Sequence, residues 1–138
     1  YMIGGYYIYD IESLTLTTPT SKDVFELSGE STSELVVKRN GNDMADSARF
    51  RTFYQFILMT PSDNIGTQEP ASATPDVNLA YVMKNGDRHT MEFYNAENRQ
   101  TIIKVDGITS YKCRTTYVER LLSNLALLDG TNEIVLSW

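Results

Sequence analysis

His89 and Cys113 are the only histidine and the only cysteine of this 138-residue sequence, so chemistry that needs an imidazole or a thiol must use them. A Ser–His–Asp triad would need His89 together with a serine and a buried aspartate. His89, however, comes just after the turn sequence Asn85–Gly86–Asp87. A histidine at the tip of a hairpin is usually a surface residue, and we therefore predict no triad around it.

Cys113 has Arg114 beside it, and a neighbouring cation can lower the pKa of a thiol and make it reactive. The alternative is a structural thiol in the core. Alternation along a strand that begins at Ile108 places Cys113 on one face with Thr109 and Tyr111. We favour the buried thiol. A single cysteine excludes an intrachain disulfide, but it does not decide the redox compartment.

Metal ligands would have to come from three short groups of acidic and amide side chains, which are Asp10 with Glu12, residues 40–46, and Asp76 with Asn78. The second group has a partial likeness to a calcium loop, but it lacks the glutamate at position twelve and the regular spacing. Turn and helix-cap chemistry explains these residues. There is no glycine-rich phosphate loop. We predict no metal, no cofactor and no catalytic residues, and therefore not an enzyme.

The charge balance limits the class of partner. The net charge is −6, the pI is near 4.7, and the twelve Lys and Arg residues are scattered. A nucleic-acid surface needs clustered cations, so we exclude nucleic acid, and the same charge repels anionic lipid. No apolar run approaches the roughly 18 residues that span a bilayer. We expect no direct membrane insertion by this segment.

The first half of the sequence predicts antiparallel strands followed by a helix. Residues 14–27 alternate in polarity around a Pro-containing turn, which is typical of a hairpin, and Leu35–Val37 predicts a third strand before the turn at Asn40–Gly41. From Asp46 to Met59, aromatic and aliphatic residues recur on one helical face. Asp43 or Asp46 is the expected N-cap of this helix, and Pro61 follows its end.

The second half repeats this order. An Asn-Gly turn between residues 79–83 and 90–94 predicts a hairpin, and strands are expected at 101–105 and 108–113. A capping box, Thr116 with Glu119, predicts the start of a second helix that ends before Gly130. Residues 134–136 predict a terminal strand that pairs back into the sheet.

Matching positions of the two halves lie 66 to 68 residues apart, as Asn40–Gly41 and Asp106–Gly107 do. We therefore predict an α+β fold, with two tandem repeats of antiparallel β-strands, each followed by an amphipathic helix. The repeats cover about 11–61 and 79–130 of a single domain, and a polar linker at 62–78 joins them.

The same motifs give the chain a resemblance to the DUF4340 family of bacterial proteins of unknown function, most of all to its Firmicutes branch. The resemblance covers residues 11–128. It rests on a strand that ends in Asn-Gly, a helix with Phe-x-x-Phe-Tyr, a hairpin that ends in Glu-Phe-Tyr, and a helix with Val-x-x-Leu-Leu. In this sequence these are Asn40–Gly41, Phe50–Phe53–Tyr54, Glu92–Phe93–Tyr94 and Val118–Leu121–Leu122.

The resemblance implies an extracytoplasmic domain of a parent protein that is tethered by an N-terminal membrane helix, which this fragment does not contain. It also implies an association with a transport system, and it supplies no catalytic residues. Our first hypothesis is a protein-interaction or ligand-binding module whose partner is an unknown protein or another component of the cell envelope. The alternatives are a hydrolase that acts on the cell wall and a passive structural spacer.

Contact residues are expected on the exposed face of the sheet or in the groove between the repeats. Aromatic residues and arginine are enriched at protein interfaces. The candidates by this criterion are Tyr81, Arg88, Tyr94, Arg99 and Tyr111.

Overall fold

The computed structural model describes residues 5–62, 64–65 and 68–138. Within these ranges the chain forms nine strands, two α-helices and two short 3₁₀ turns, which confirms the α+β class. The strands are β1 (Ile11–Thr18), β2 (Ser21–Ser28), β3 (Val36–Arg39), β4 (Asn42–Asp43), β5 (Asn64–Ile65), β6 (Val77–Met83), β7 (Arg88–Asn95), β8 (Gln100–Val105) and β9 (Ile108–Arg114). The helices are α1 (Ser47–Leu58) and α2 (Thr115–Leu127), and the 3₁₀ turns are Ile8–Asp10 and Glu97–Arg99.

The nine strands form one antiparallel sheet in the order β4-β3-β2-β1-β6-β7-β8-β9-β5. At its centre β1 pairs with β6, from Ile11 opposite Met83 to Thr17 opposite Asn78. From this pair, β2 to β4 continue the sheet on one side, and β7 to β9 continue it on the other. The centre of the sheet is therefore the place where the two halves of the chain meet.

Two turns with the same hydrogen-bond pattern follow β3 and β8. Asn40 and Asp106 have positive φ angles of 52° and 51°, and a glycine with positive φ follows each. The side chain of Asn40 accepts a hydrogen bond from the N–H of Val24 at 2.8 Å, and that of Asp106 accepts one from Thr90 at 2.9 Å. Each turn residue also donates its own N–H to the carbonyl of the same partner. Asn and Asp suit these positions because they tolerate left-handed backbone and bond to nearby main chain.

Helix α1 begins where the sequence predicts. The carboxylate of Asp46 accepts a hydrogen bond from the N–H of Ala48 at 3.0 Å, which confirms one of the two expected N-caps. Phe50 and Phe53 point at the sheet, with ring centroids 4.9 and 6.4 Å from that of Phe25 in β2. The aromatic residues of α1 are therefore core residues.

Both helices pack on the same face of the sheet, which we call the inner face. The residues that point inward from the strands form a single core with the helices. The strands contribute Leu14, Leu16, Phe25, Leu27, Val37, Leu79, Tyr81, Met91, Phe93, Ile103 and Cys113, and the helices contribute Phe50, Phe53, Tyr54, Phe56, Ile57, Tyr117, Val118, Leu121 and Leu125. Cys113 is completely buried, so the prediction of a buried thiol is confirmed.

Tyr117 joins the two helices inside this core. Its ring stacks on that of Phe56 with centroids 4.7 Å apart. Its hydroxyl donates to the carbonyl of Phe56 at 2.7 Å and lies 2.8 Å from the hydroxyl of Thr60. Burial strongly raises the pKa of Tyr117, so the phenol keeps its proton. The hydrogen bonds explain how a polar atom is accommodated between α1 and α2.

The predicted capping box of α2 is wrong. The helix begins at Thr115, and the residue before it makes no side-chain cap. Glu119 instead pairs with Arg99 at 2.7 Å. Arg99 lies in the 3₁₀ turn between β7 and β8, close to the first turn of α2, and its guanidinium competes for the carboxylate.

The predicted strand at 134–136 is also wrong, because α2 satisfies the backbone of the tail. The side chain of Asn124 donates to the carbonyl of Val135 at 2.8 Å and accepts from its N–H at 3.0 Å. Ile134 is buried, and the ring of Trp138 packs edge-on against Tyr117. The tail therefore lies against the helix layer and adds no strand to the sheet.

Arg49 of α1 fixes the segment that follows α2. Its guanidinium donates to the carbonyl oxygens of Leu127, Leu128 and Asn132, the last two at 3.0 and 2.6 Å. The final carbonyls of a helix have no partner within the helix, so this arginine supplies donors at the end of α2, where the N–H of Gly130 also bonds to the Leu127 carbonyl. None of the described helices is long and apolar enough to cross a membrane.

We expect Phe53→Ala and Leu121→Ala each to lower the free energy of unfolding by about 2–5 kcal/mol, because each leaves a cavity in the core. Both side chains are completely buried. Urea denaturation would measure the loss, with the exposed Gln55→Ala on α1 as a control that should change stability by less than about 0.5 kcal/mol. Near-neutral results for both core variants would contradict this arrangement of the helices.

Candidate functional site

The face of the sheet opposite the helices, the outer face, carries a set of residues that neither of the described helices covers. Twelve of them lie in three rows across β2, β1, β6 and β7, and we call these residues the outer patch. The rows are Glu26–Ser13–Val82–Arg88, Val24–Thr15–Ala80–Thr90 and Lys22–Thr17–Asn78–Glu92. All twelve are exposed or half-buried. Because the two middle columns hold only small or short side chains, the patch presents no ridge.

The charged residues of the outer patch alternate in sign around its corners. Glu26 and Lys22 lie at the two ends of the β2 column, and Arg88 and Glu92 lie at the two ends of the β7 column. No described residue forms an ion pair with any of the four. The patch is therefore electrically balanced, although the chain as a whole carries a charge of −6.

Beyond β7, residues of the linker between β5 and β6 cover the outer face of the sheet. Glu69 contacts Lys104 of β8 at 2.9 Å and accepts a hydrogen bond from Thr109 of β9 at 2.8 Å. Gln68 accepts a hydrogen bond from Lys112 at 3.0 Å. These polar contacts attach the linker to β8 and β9, so the open part of the outer face ends at β7.

Tyr94 lies on the outer face beside this linker and is 6% exposed. With Ile102, Pro70 and Ala71, it lines a cavity of about 230 Å³. Its hydroxyl donates to the carboxylate of Glu92 at 2.9 Å. Desolvation, and then this hydrogen bond, raises the pKa of Tyr94 to about 12, so the phenol remains a donor that orients Glu92 at the corner of the patch.

The five residues predicted as contacts do not lie on one surface of the structure. Tyr81 and Tyr111 belong to the inner face, and Tyr94 lies beside the linker. Arg99 is exposed at the turn after β7, paired with α2. Only Arg88 lies in the outer patch. A common contact surface made of all five is therefore excluded by their positions.

Tyr81 in particular cannot contact a partner on the surface, because it is 1% exposed. Its ring packs at 4.9 Å from that of Tyr6, and its hydroxyl has no hydrogen-bond partner among the described residues. In β6, Val77, Leu79, Tyr81 and Met83 all point inward. The alternation of apolar residues at 79, 81 and 83 was the signal that could have placed Tyr81 in the core.

His89 forms a pair with Asp106. Its Nδ1 lies 3.1 Å from Oδ2 of Asp106, and its ring stacks on that of Tyr6 with centroids 4.5 Å apart. A carboxylate on one ring nitrogen fixes the orientation of the imidazole and leaves Nε2 for proton transfer or ligand binding. Desolvation, and then the charge of Asp106, raises the pKa of Tyr6. From the sequence, Asp106 was visible only as a turn residue.

A cavity of about 340 Å³ adjoins this pair. Its described lining consists of Asp10, Met83, Lys84, Asn85, Asp87 and His89. A general base and carboxylates are therefore present, but no serine, threonine or cysteine nucleophile is among these lining residues.

A second group of acidic residues surrounds Arg39. The guanidinium contacts Asp23 at 3.0 Å and Asp129 at 2.9 Å, and it lies 5.6 Å from the ring centroid of Phe25. Asn40 donates to the same Asp23 carboxylate at 3.3 Å. The guanidinium of Arg39 is therefore already paired with the carboxylates that a metal ion would need as ligands. In the described part of the chain, no three His, Cys, Asp or Glu residues are grouped as metal ligands.

No protein-family model matches this chain, and no curated protein or solved structure matches it either. The outer patch and the His89–Asp106 pair are therefore the features from which a function can be inferred.

We expect the attachment of the linker to weaken in acid. Hydrogen bonds from Lys104 and Thr109 lower the pKa of Glu69 below its ordinary value of 4.5. A lowered folded-state pKa means that the attachment stabilises the fold above pH 4.5 and is lost as the pH falls through the lowered value. Hydrogen-exchange protection of residues 68–72 should therefore decrease below pH 4.5 in the wild type.

The same experiment on Glu69→Gln should show weak protection at every pH, because the amide carries no charge for Lys104. Glu97→Gln, an exposed carboxylate near the same linker, is the matched control and should behave as the wild type. Equal protection of the wild type and Glu69→Gln at neutral pH would contradict the assigned role of Glu69.

Proposed function

We propose that this domain is a protein-interaction module that binds its partner through the outer patch. The observation that carries the proposal is an electrically balanced surface that the described helices leave uncovered and whose four corner charges have no ion-pair partner among the described residues. Unpaired charges of both signs around a centre of small residues suit recognition of a complementary folded surface.

We further propose that the two halves of the chain, 11–61 and 79–130, are tandem repeats. The hydrogen-bonded turns support this, since Val24 with Asn40 and Thr90 with Asp106 are related by the same offset of 66 residues. The same offset relates Lys22 to Arg88 and Glu26 to Glu92. With β1 and β6 antiparallel at the centre, the two halves are related by an approximate twofold axis perpendicular to the sheet. The outer patch would then be built equally by both repeats.

The cellular setting that we propose rests on the resemblance to DUF4340. It is an extracytoplasmic position in a bacterial parent protein with an N-terminal membrane anchor, next to a transport system or another envelope component. Protease accessibility of the domain in intact cells tests the location, because a cytoplasmic domain would stay protected until the membrane is broken.

A second candidate function, a hydrolase directed at the cell wall, has one observation in its favour. The His89–Asp106 pair adjoins a polar cavity, where Nε2 could activate a water molecule as a general base. If the interaction module is the correct function, purified wild-type protein and His89→Gln should both leave isolated cell walls intact in a turbidity assay. Clearing by the wild type that His89→Gln loses would establish the hydrolase instead.

Photo-crosslinking tests the interaction module directly. We expect p-benzoylphenylalanine at Thr15, in the centre of the outer patch, to form a discrete protein adduct in cells that produce the parent protein. The matched control has the same group at Ser123, which is exposed on the helix side and should give no adduct. Absence of an adduct at Thr15 would reject the module and favour the passive spacer.

A further inference from the structure

We propose that the occupant of the outer patch is a second copy of this chain, packed face to face with its strands nearly aligned with those of the first. This inference rests on the proposed function, because it uses the same patch. Its basis is the pattern of charge on the patch, which is complementary to itself.

Corners of the outer patch that lie diagonally opposite each other carry charges of the same sign. Glu26 and Glu92 occupy one diagonal, and Lys22 and Arg88 occupy the other. A twofold axis in the contact plane and along the strands places β2 of one copy over β7 of its partner. Glu26 then faces the partner's Arg88, and Lys22 faces the partner's Glu92. All four corners therefore meet opposite charges.

The same pattern of corner charges distinguishes favourable from unfavourable orientations of the second copy. An in-plane axis across the strands places Glu26 over the partner's Lys22, and Arg88 over the partner's Glu92, so it is also favourable. An axis along a diagonal crosses the strands at right angles and brings like charges together at every corner. The pattern therefore selects aligned sheets, one of the two common packings of sheet on sheet, and rejects the orthogonal one.

The centre of the patch permits the same contact. With the axis along the strands, Thr15 faces the partner's Ala80, and Val24 faces the partner's Thr90. Side chains of this size let two sheets approach to the usual separation of about 10 Å. Elsewhere the net charge of −6 makes two copies repel each other, so the balanced patch is the favoured place for self-association.

The area of contact between the two copies determines the expected affinity of the dimer. The four strands that face each other, β2, β1, β6 and β7, span about 19 Å at about 4.8 Å each, and seven residues extend about 23 Å. Two such faces would bury roughly 900 Å² in total, which is in the range of weak, transient interfaces. We therefore expect a weak dimer, with a Kd of about 10–100 µM at low ionic strength.

Two charge variants test the proposal. Sedimentation velocity would be measured at protein concentrations of about 5–500 µM, a range that spans the expected Kd. Glu26→Lys/Glu92→Lys makes all four corners positive, and Lys22→Glu/Arg88→Glu makes them all negative. Each variant alone should self-associate at least about tenfold more weakly than the wild type. A 1:1 mixture should form a heterodimer, which also shows that both variants are folded. Added salt should weaken the wild-type and mixed dimers alike.

Glu30→Lys/Glu133→Lys is the matched control for Glu26→Lys/Glu92→Lys, because it changes the net charge by the same amount and sign at exposed positions outside the patch, and it should dimerise as the wild type does. A wild type that is monomeric at every concentration, or variants that fail to associate on mixing, would overturn the second copy as occupant. The Thr15 crosslink separates this failure from that of the proposed function. An adduct with a different protein would keep the module and reject self-association, whereas an adduct of dimer mass would support both.

Discussion

The pairing of β1 with β6 is the interaction on which the other features depend. Thr17 and Asn78, which face each other in this pair, lie 61 positions apart in the sequence, so the contact closes a long loop. The entropic cost of closing this loop is offset only when the hairpins on both sides and the core beneath are formed. Without this pair there would be two small sheets, each with a helix, and neither a continuous inner core nor an outer patch.

Local patterns predicted the elements well, because hairpins and helices are specified by nearby residues. The Asn-Gly turn between β6 and β7 and the cap at Asp46 are examples. Patterns that depend on distant neighbours were less informative. Glu119 had the correct spacing for a capping box, but Arg99 is folded against it, and Asn124 replaces the strand partner that residues 134–136 were expected to find.

The candidate contacts were harder to predict than the fold, because residue type was used without the face of the strand. Tyr81 and Tyr111 have the composition of interface residues, yet strand alternation turns them into the core. None of the twelve residues of the outer patch is aromatic, and their local sequence contains no recognisable motif. Its charge pattern becomes visible only when the register places Glu26 in line with Arg88, a relation across four strands that spacing along the chain does not encode.

The burial of Cys113 has a consequence for how the protein can be handled. The thiol is completely enclosed between the sheet and the helices, so oxidants and alkylating reagents reach it only when the core opens. The native chain therefore has no reactive sulfhydryl on its surface and should tolerate both reducing and oxidising surroundings without forming mixed disulfides. A cysteine introduced anywhere on the exterior would be the sole accessible thiol, which makes the protein ready for site-specific spectroscopic labelling without prior removal of Cys113.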